Sequence, residues 1–468
     1  MFSARLITSS RLSLASLRHA STQAVARSNS THKIVVVGGG TAGVTVSAQL
    51  QRAFKAEGRT INDGDIAIID PAQLHHYQPG WTLVGSGLAE LDQMVKPLQD
   101  VIPSGVKHYS AAVESFSPES NSIKTSDGYT ISYDYLVVAP GLKSDFAKIP
   151  GLLEGLKDPN SGVSSIYHFD SVQKAWSNIK DFQKGTAIFT QPAGVIKCAG
   201  APQKIMWMAL SQWKNDGKRA AVEPTFATGA PAMFAVPKYA KALEQLRVER
   251  NVGGLFSHNL VKIDNAKKTA TFDVGAGKTV DKEFDLLHVV PPQGPPDFIK
   301  NSPLADAGGW VAVNAATTQH VKYPNIFSIG DASSLPNSKT AAAITAQAPV
   351  LVDNLRAHLD GKALPAAYGQ FEPLESGQTA TPGCGTDISP ASFISPLLTG
   401  HNELMLAEFK YGGVPKETFS KYPFFESQDK PNATFFWLKK NSFPRIYWSS
   451  FLKGTWFGPR GFLRPTAY

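Results

Sequence analysis

The segment from Lys33 to Gly43, KIVVVGGGTAG, limits the fold more than any other stretch of the chain. A run of β-branched residues enters a glycine-rich turn, and a helix is expected to follow. Gly38, Gly40 and Gly43 match the spacing G-x-G-x-x-G. Each glycine is needed for a different physical reason. Gly38 makes the tight turn, Gly40 lets the backbone approach a pyrophosphate, and Gly43 seats the helix against the strand. The helix amino terminus then offers unpaired N–H groups and a partial positive charge to the anion. An α/β fold on a largely parallel sheet follows from this element.

Two more strands narrow the cofactor. Asp65 to Asp70 reads DIAIID, a second strand that leaves Asp70 placed to accept from a ribose hydroxyl, and far downstream IFSIGD ends in Gly330 and Asp331. A first strand with the fingerprint and a late strand ending in Gly-Asp make the two-part grip of FAD-binding reductases, so FAD is the expected cofactor. Tyr133 to Gly141, YDYLVVAPG, is a buried strand whose Pro140 and Gly141 are expected to cross near the cofactor. After Asp331, SLPNSKTAAAITAQ should begin a helix near Ser338 to Thr340. Its amino terminus, with Thr340 at the start and Lys339 beside it, would stabilise negative charge on a reduced flavin.

The next strand, Thr186 to Thr190, should open a second dinucleotide-type domain, and there the fingerprint is missing. The chain has QPAGVIKCAGAPQ from Gln191 to Gln203, without the glycine spacing, and the following strand ends near Thr228-Gly229 with no acid. The expectation is a second Rossmann-like domain that does not bind NAD(P)H. In the vacated place stands Cys198. A helix is expected from about Pro202 through Ile205, Met208, Ala209 and Trp213, which puts the thiol just before a helix amino terminus. There the dipole and the nearby Lys197 and Lys204 favour the thiolate. The competing reading is a buried, inert cysteine.

Charge sits at the two ends of the 468-residue chain. Met1 to Thr31 carries four arginines and no acid, and resembles a mitochondrial presequence. Pro431 to Tyr468 carries six basic residues and no acid, interleaved with ten aromatics from Phe435 to Phe462. That pattern suits an amphipathic segment docked on one leaflet of a membrane, and its removal would then leave the flavin bound. With the +8 net charge confined to the ends, the body lacks the basic groove of a nucleic-acid enzyme. Only two cysteines, Cys198 and Cys384, are present, too few for a disulfide scaffold or a four-thiolate metal site, and no metal is expected.

These features together resemble the mitochondrial-type sulfide:quinone oxidoreductases, within the two-dinucleotide-domain disulfide reductases. The stretches that carry the resemblance are HHYQPGWTLVGSG, IKCAGAPQKIMW, HVVPP, SKTAAAITAQAPV and LLTGHNELMLAEF. The resemblance implies oxidation of hydrogen sulfide at a cysteine pair, two electrons passing through FAD to ubiquinone, and transfer of the sulfur to glutathione or sulfite. It also implies a peripheral protein of the mitochondrial inner membrane. Cys198 falls on the first cysteine motif. At the second, the sequence has Ser395, with Cys384 eleven residues earlier in a Gly/Pro/Ser/Thr-rich insertion. Cys384 replaces the missing partner, or the chain lacks full activity, or the stretch is a faulty translation.

The expected organisation is a presequence (1–31), an FAD domain in two parts (32–165 and 293–360), a second Rossmann-like domain between them (166–292), and a C-terminal region (361–468). The last holds the insertion at about 370–394 and the docking tail. The rival readings are a type II NADH:quinone oxidoreductase, which needs a second fingerprint, and a non-catalytic FAD-stabilised scaffold.

Overall fold

The computed structural model describes residues 29–366, 393–409, 413–421, 427–458 and 461–463. Cys384 and nearly all of the insertion lie outside them, as does the presequence up to residue 28; Ser30 and Thr31 already belong to the first strand.

That strand, β1 (Ser30–Val37), leads through α1 (Thr41–Ala56) to β2 (Ile66–Ile69), which pairs parallel to it with Val35 opposite Ala67. On its other side β1 pairs parallel with β3 (Thr130–Val138), Val36 opposite Val137. Ile34 to Val37, Ile66 to Ile69 and Leu136 to Val138 are all buried. Continuous apolar runs of this kind are what a parallel sheet covered on both faces requires. Ile326–Ser328 adds a further parallel strand on β3, so residues nearly two hundred positions apart return to one sheet.

A second parallel sheet contains β4 (Gly185–Gln191), flanked by Val222–Thr228 and Leu286–His288. β4 is followed by α2 (Ala201–Asn215), in which Ile205, Met206, Trp207, Met208, Ala209 and Trp213 are buried and Pro202 sits in the first turn. Proline is accepted there because its missing N–H has no partner in a first turn anyway. The long α3 (Ala341–Leu359) starts from Thr340, whose hydroxyl caps the Ala343 N–H at 3.2 Å, and packs on α1.

The C-terminal part forms an antiparallel hairpin, β5 (Phe393–Gly400) with β6 (Glu403–Phe409), and β5 lies against α2. A helical run over 433–451 follows, mixing α and π turns around Pro444. Here the structure departs from a purely lipid-facing tail. Phe435, Phe436, Tyr447, Phe451 and Phe457 are buried in protein, while Trp437 and Phe462 remain 58% and 65% exposed. Aromatic composition calls for an apolar partner, and the rest of the chain supplies most of it. Among the described residues no helix is long and apolar enough to cross a membrane.

Candidate active site

The first cradle is built by β1, α1 and the exit of β3. Gly38 has φ 106°, and a side chain there would lie 2.5 Å from the Ala139 carbonyl oxygen and 2.7 Å from the Pro140 Cα. Ala139 and Pro140, with Gly141 next in the chain, are thereby held against the fingerprint turn. At Gly43 a Cβ would overlap the carbonyl of Gly38 and press on Val36, so the helix can approach the strand only with glycine. Gly40 differs: a Cβ there meets no protein atom within 4 Å. The space above it is open, and the first turn of α1 has no side-chain cap, leaving its N–H groups available to an anion. This geometry fits a pyrophosphate.

Asp70 sits at the end of β2, where its carboxylate accepts from Gly39 N at 2.6 Å and from Ala72 N at 2.7 Å. Gly330, at φ 71°, donates its N–H to Gln347 Oε1 at 2.9 Å. Beside it Asp331 is held by burial above the usual carboxylate range, against the pull of Lys197 and Lys339. Lys339 is buried rather than solvated. Its ammonium donates to the Ser333 carbonyl at 2.6 Å and to Leu335, and burial pushes it down to about 8.

The cysteine loop is tied to this region through the backbone. Lys197 bridges Lys339 in parallel, and Cys198 N donates to the Lys339 carbonyl at 2.8 Å. Cys198 adopts φ 51°, a left-handed conformation uncommon for a side chain with a Cβ. Three bonds hold it there: the one to Lys339, one from Ala201 N to the Cys198 carbonyl at 2.7 Å, and one from Tyr167 Oη to the same carbonyl at 3.4 Å. The turn aims the half-buried thiol at Lys204 Nζ, 3.2 Å away on the first turns of α2. Burial raises the thiol, but Lys204, then Lys439 and a backbone N–H of Gly200 outweigh it, and the net shift is downward.

Of the two lysines expected to do this, one does. Lys197 sends its ammonium the other way, to Gln78 Oε1 at 2.8 Å and over the Trp81 ring. A residue next to a left-handed turn points away from the turn's own side chain, so proximity in sequence misleads. The second cation is Lys439, from the C-terminal helical run. It is 3% exposed, donates to the Pro79 carbonyl at 3.0 Å, and is pushed down to about 7 by burial and by the repulsion of Lys204. No local pattern around Lys439 distinguished it from its exposed neighbour Lys440.

Ser395, on β5, is buried beside the same loop: its Oγ would stand 3.1 Å from a Cβ at Gly200. The position where the family pattern has its second cysteine is therefore next to the Cys198 turn and carries a hydroxyl. Cys384 lies outside the described residues. The corresponding turn of the second sheet is built differently. Gly229 N continues the strand ladder to the Gln191 carbonyl at 2.9 Å, a side chain at Gly229 would strike the Ala193 backbone at 2.5 Å, and Ala193 N donates to Asn259 Oδ1 at 3.0 Å, so this turn packs without the glycine spacing of the first. Among the described residues no cluster of His, Cys, Asp and Glu could hold a metal ion.

Residues 32–185 match the pyridine nucleotide-disulphide oxidoreductase family. The whole chain is similar to the mitochondrial sulfide:quinone oxidoreductases of Schizosaccharomyces pombe, 42% identical over 93% of each chain, and of Dictyostelium discoideum, 43% identical over 92% of this chain and 88% of that one. The fold is shared with the crystal structure of the sulfide:quinone oxidoreductase of Aquifex aeolicus, at TM-score 0.69 and 18% identity over 90% of this chain and 92% of that one. With the fingerprint cradle in place and the Cys198 thiol set against Lys204, this chain belongs to the FAD-dependent sulfide:quinone oxidoreductases.

Proposed function

We propose that this chain oxidises hydrogen sulfide to sulfane sulfur and passes two electrons to ubiquinone, with Cys198 as the sulfur-handling nucleophile. The observation that carries this is the Cys198 thiol, turned by a strained backbone onto Lys204 and faced by Lys439 at the junction of both dinucleotide-type domains. A thiolate, not a thiol, attacks sulfur or accepts it.

Attack of hydrosulfide on a disulfide between Cys198 and a second thiol forms one S–S bond and breaks another. A persulfide is left on one cysteine and a thiolate on the other. The second thiol is assigned to Cys384, the only other cysteine in the sequence. A small thiol or sulfite, glutathione being the candidate thiol, then takes the outer sulfur and leaves both cysteines as thiols, and re-forming their disulfide gives up the two electrons that pass on toward quinone. FAD, when bound, supplies the two-electron acceptor that stands between sulfide and quinone. In this reading Gly38, Gly40, Gly43 and the open turn of α1 would hold its pyrophosphate and Asp70 its ribose. Pro140, Gly141, Gly330 and Asp331 would contact it, and Lys339 and Thr340, at the amino terminus of α3, would stabilise negative charge on it when reduced. Lys204 and Lys439 keep Cys198 charged.

The relatives' names place them in mitochondria, and we assign this chain to the same compartment, peripheral on the inner membrane. Support for docking comes from what the tail leaves outside: Trp437, Phe462 and Leu463 are exposed together with Lys440, Arg445 and Lys453.

The test is Cys198→Ser in the full-length flavoprotein. It should retain FAD and lose sulfide-dependent reduction of a ubiquinone analogue by at least about a hundredfold, the order expected when a covalent nucleophile is removed. Retained turnover would refute the assignment.

A further inference from the structure

The tail does more than cover the core: its hydroxyl Tyr447 Oη enters the fingerprint turn. Gly39, between the turn glycines, is held on both sides. Its N–H donates to Asp70 and its carbonyl accepts from His75 Nδ1 at 2.9 Å. A carbonyl can only accept, so His75 carries its proton on Nδ1, and burial keeps the ring neutral by pushing its pKa down to about 4. His75 Nε2 is then an acceptor, and Tyr447 Oη donates to it at 2.7 Å. With its own proton so used, Tyr447 Oη accepts from Thr41 Oγ1 at 2.7 Å, and Thr41 is the first residue of α1. The direction of every bond follows from one carbonyl.

This relay is buried and braced. Tyr447 is 2% exposed, with the ring of Tyr77 4.5 Å away, and His75 is 3% exposed. Beyond it the tail is seated on both helices that open onto the flavin cradle. A side chain at Gly454 would press on Gln49 of α1 at 2.9 Å, and one at Gly458 would overlap Thr345 of α3.

We propose that Tyr447 and His75 are positioning residues for the flavin: a strap from the C-terminal helical run that fixes the Gly39 peptide and the first turn of α1 in the conformation that receives a pyrophosphate. The strap rests on the FAD reading of the cradle. It gives the tail a second role, independent of lipid, and reverses the expectation that a tail-less chain keeps its flavin.

Full-length Tyr447→Phe removes one oxygen and both relay bonds. FAD release after dilution, followed by the rise in flavin fluorescence, should accelerate about tenfold, the factor that about 1.4 kcal/mol represents and within the range for two net hydrogen bonds. Vesicle binding should stay as in wild type, while the thermal midpoint of the apoprotein should fall, because the buried His75 Nε2 loses its donor. Thr41→Val should accelerate release less, and the double variant no more than Tyr447→Phe alone, because both break one relay. Unchanged FAD release in Tyr447→Phe, or effects that simply add, would overturn the strap. If Tyr447→Phe does not fold, Thr41→Val alone decides: wild-type release from it has the same meaning. A wild-type protein without any flavin would instead sink the FAD reading.

Discussion

Replacing Lys204 by methionine keeps the buried stem and removes the charge that faces Cys198. At 3.2 Å and an effective dielectric of about 20, the pair interacts by about 5 kcal/mol. That is a ceiling, since two effects oppose it. Water reaches the half-buried thiol in place of the ammonium, and Lys439, freed from Lys204's repulsion, holds its proton to higher pH and takes over part of the field. We expect the Cys198 midpoint to rise, because burial would then be weakly opposed. The sign is fixed: losing a cation disfavours the thiolate, so reactivity at neutral pH falls and returns as pH is raised. The assay is the pH dependence of iodoacetamide alkylation of the Cys198 peptide, followed by mass spectrometry in a Cys384→Ser background. Lys439→Met should move the midpoint the same way by a smaller amount. An unmoved midpoint in Lys204→Met would refute the claim that lysine charge sets this thiol, and a shift to lower pH would refute its sign.

Three further outcomes follow from the same geometry. Gly40→Val should lower bound FAD at least about tenfold without unfolding the sheet, because its side chain enters only the open space of the cradle; wild-type flavin content would refute that. Neither NADH nor NADPH should bleach the flavin anaerobically, since Gln191 to Gln203 lacks the glycine spacing and the following strand ends in Thr228-Gly229 with no acid, and rapid bleaching by NADH would make the type II dehydrogenase the better reading. Ser395→Cys in a Cys384→Ser chain should form a disulfide with Cys198 on a non-reducing peptide map and raise sulfide turnover, which requires Cα atoms within about 7 Å; failure of the pair to form would show that β5 does not present this position to Cys198.

The parts of this architecture that the sequence showed are those whose causes are local. Gly38, Gly40 and Gly43 act on atoms within one strand-turn-helix unit, so their spacing reveals their roles. The start of α2 near Pro202 and the cap at Thr340 are likewise decided within a turn or two. Lys439 was illegible because its partner lies across the whole chain and nothing nearby separates it from Lys440. Lys197 misled because a left-handed residue follows it. The tail misled for a third reason: composition reports that Phe435, Tyr447 and Phe451 need apolar surroundings, and cannot say whether lipid or protein provides them. His75 stood in a stretch that drew notice for its aromatics, yet its role depends on Tyr447, which only the folded chain brings to it.

If Cys198 passes the electrons of sulfide to a bound flavin and thence to quinone, sulfide alone must reduce the flavin. Anaerobic mixing of the full-length flavoprotein with hydrogen sulfide tests it most directly. The visible flavin absorbance should bleach in wild type, return when a ubiquinone analogue is added, and stay unchanged in Cys198→Ser. A flavin that sulfide leaves oxidised in wild type, or bleaches equally fast in Cys198→Ser, would contradict the account.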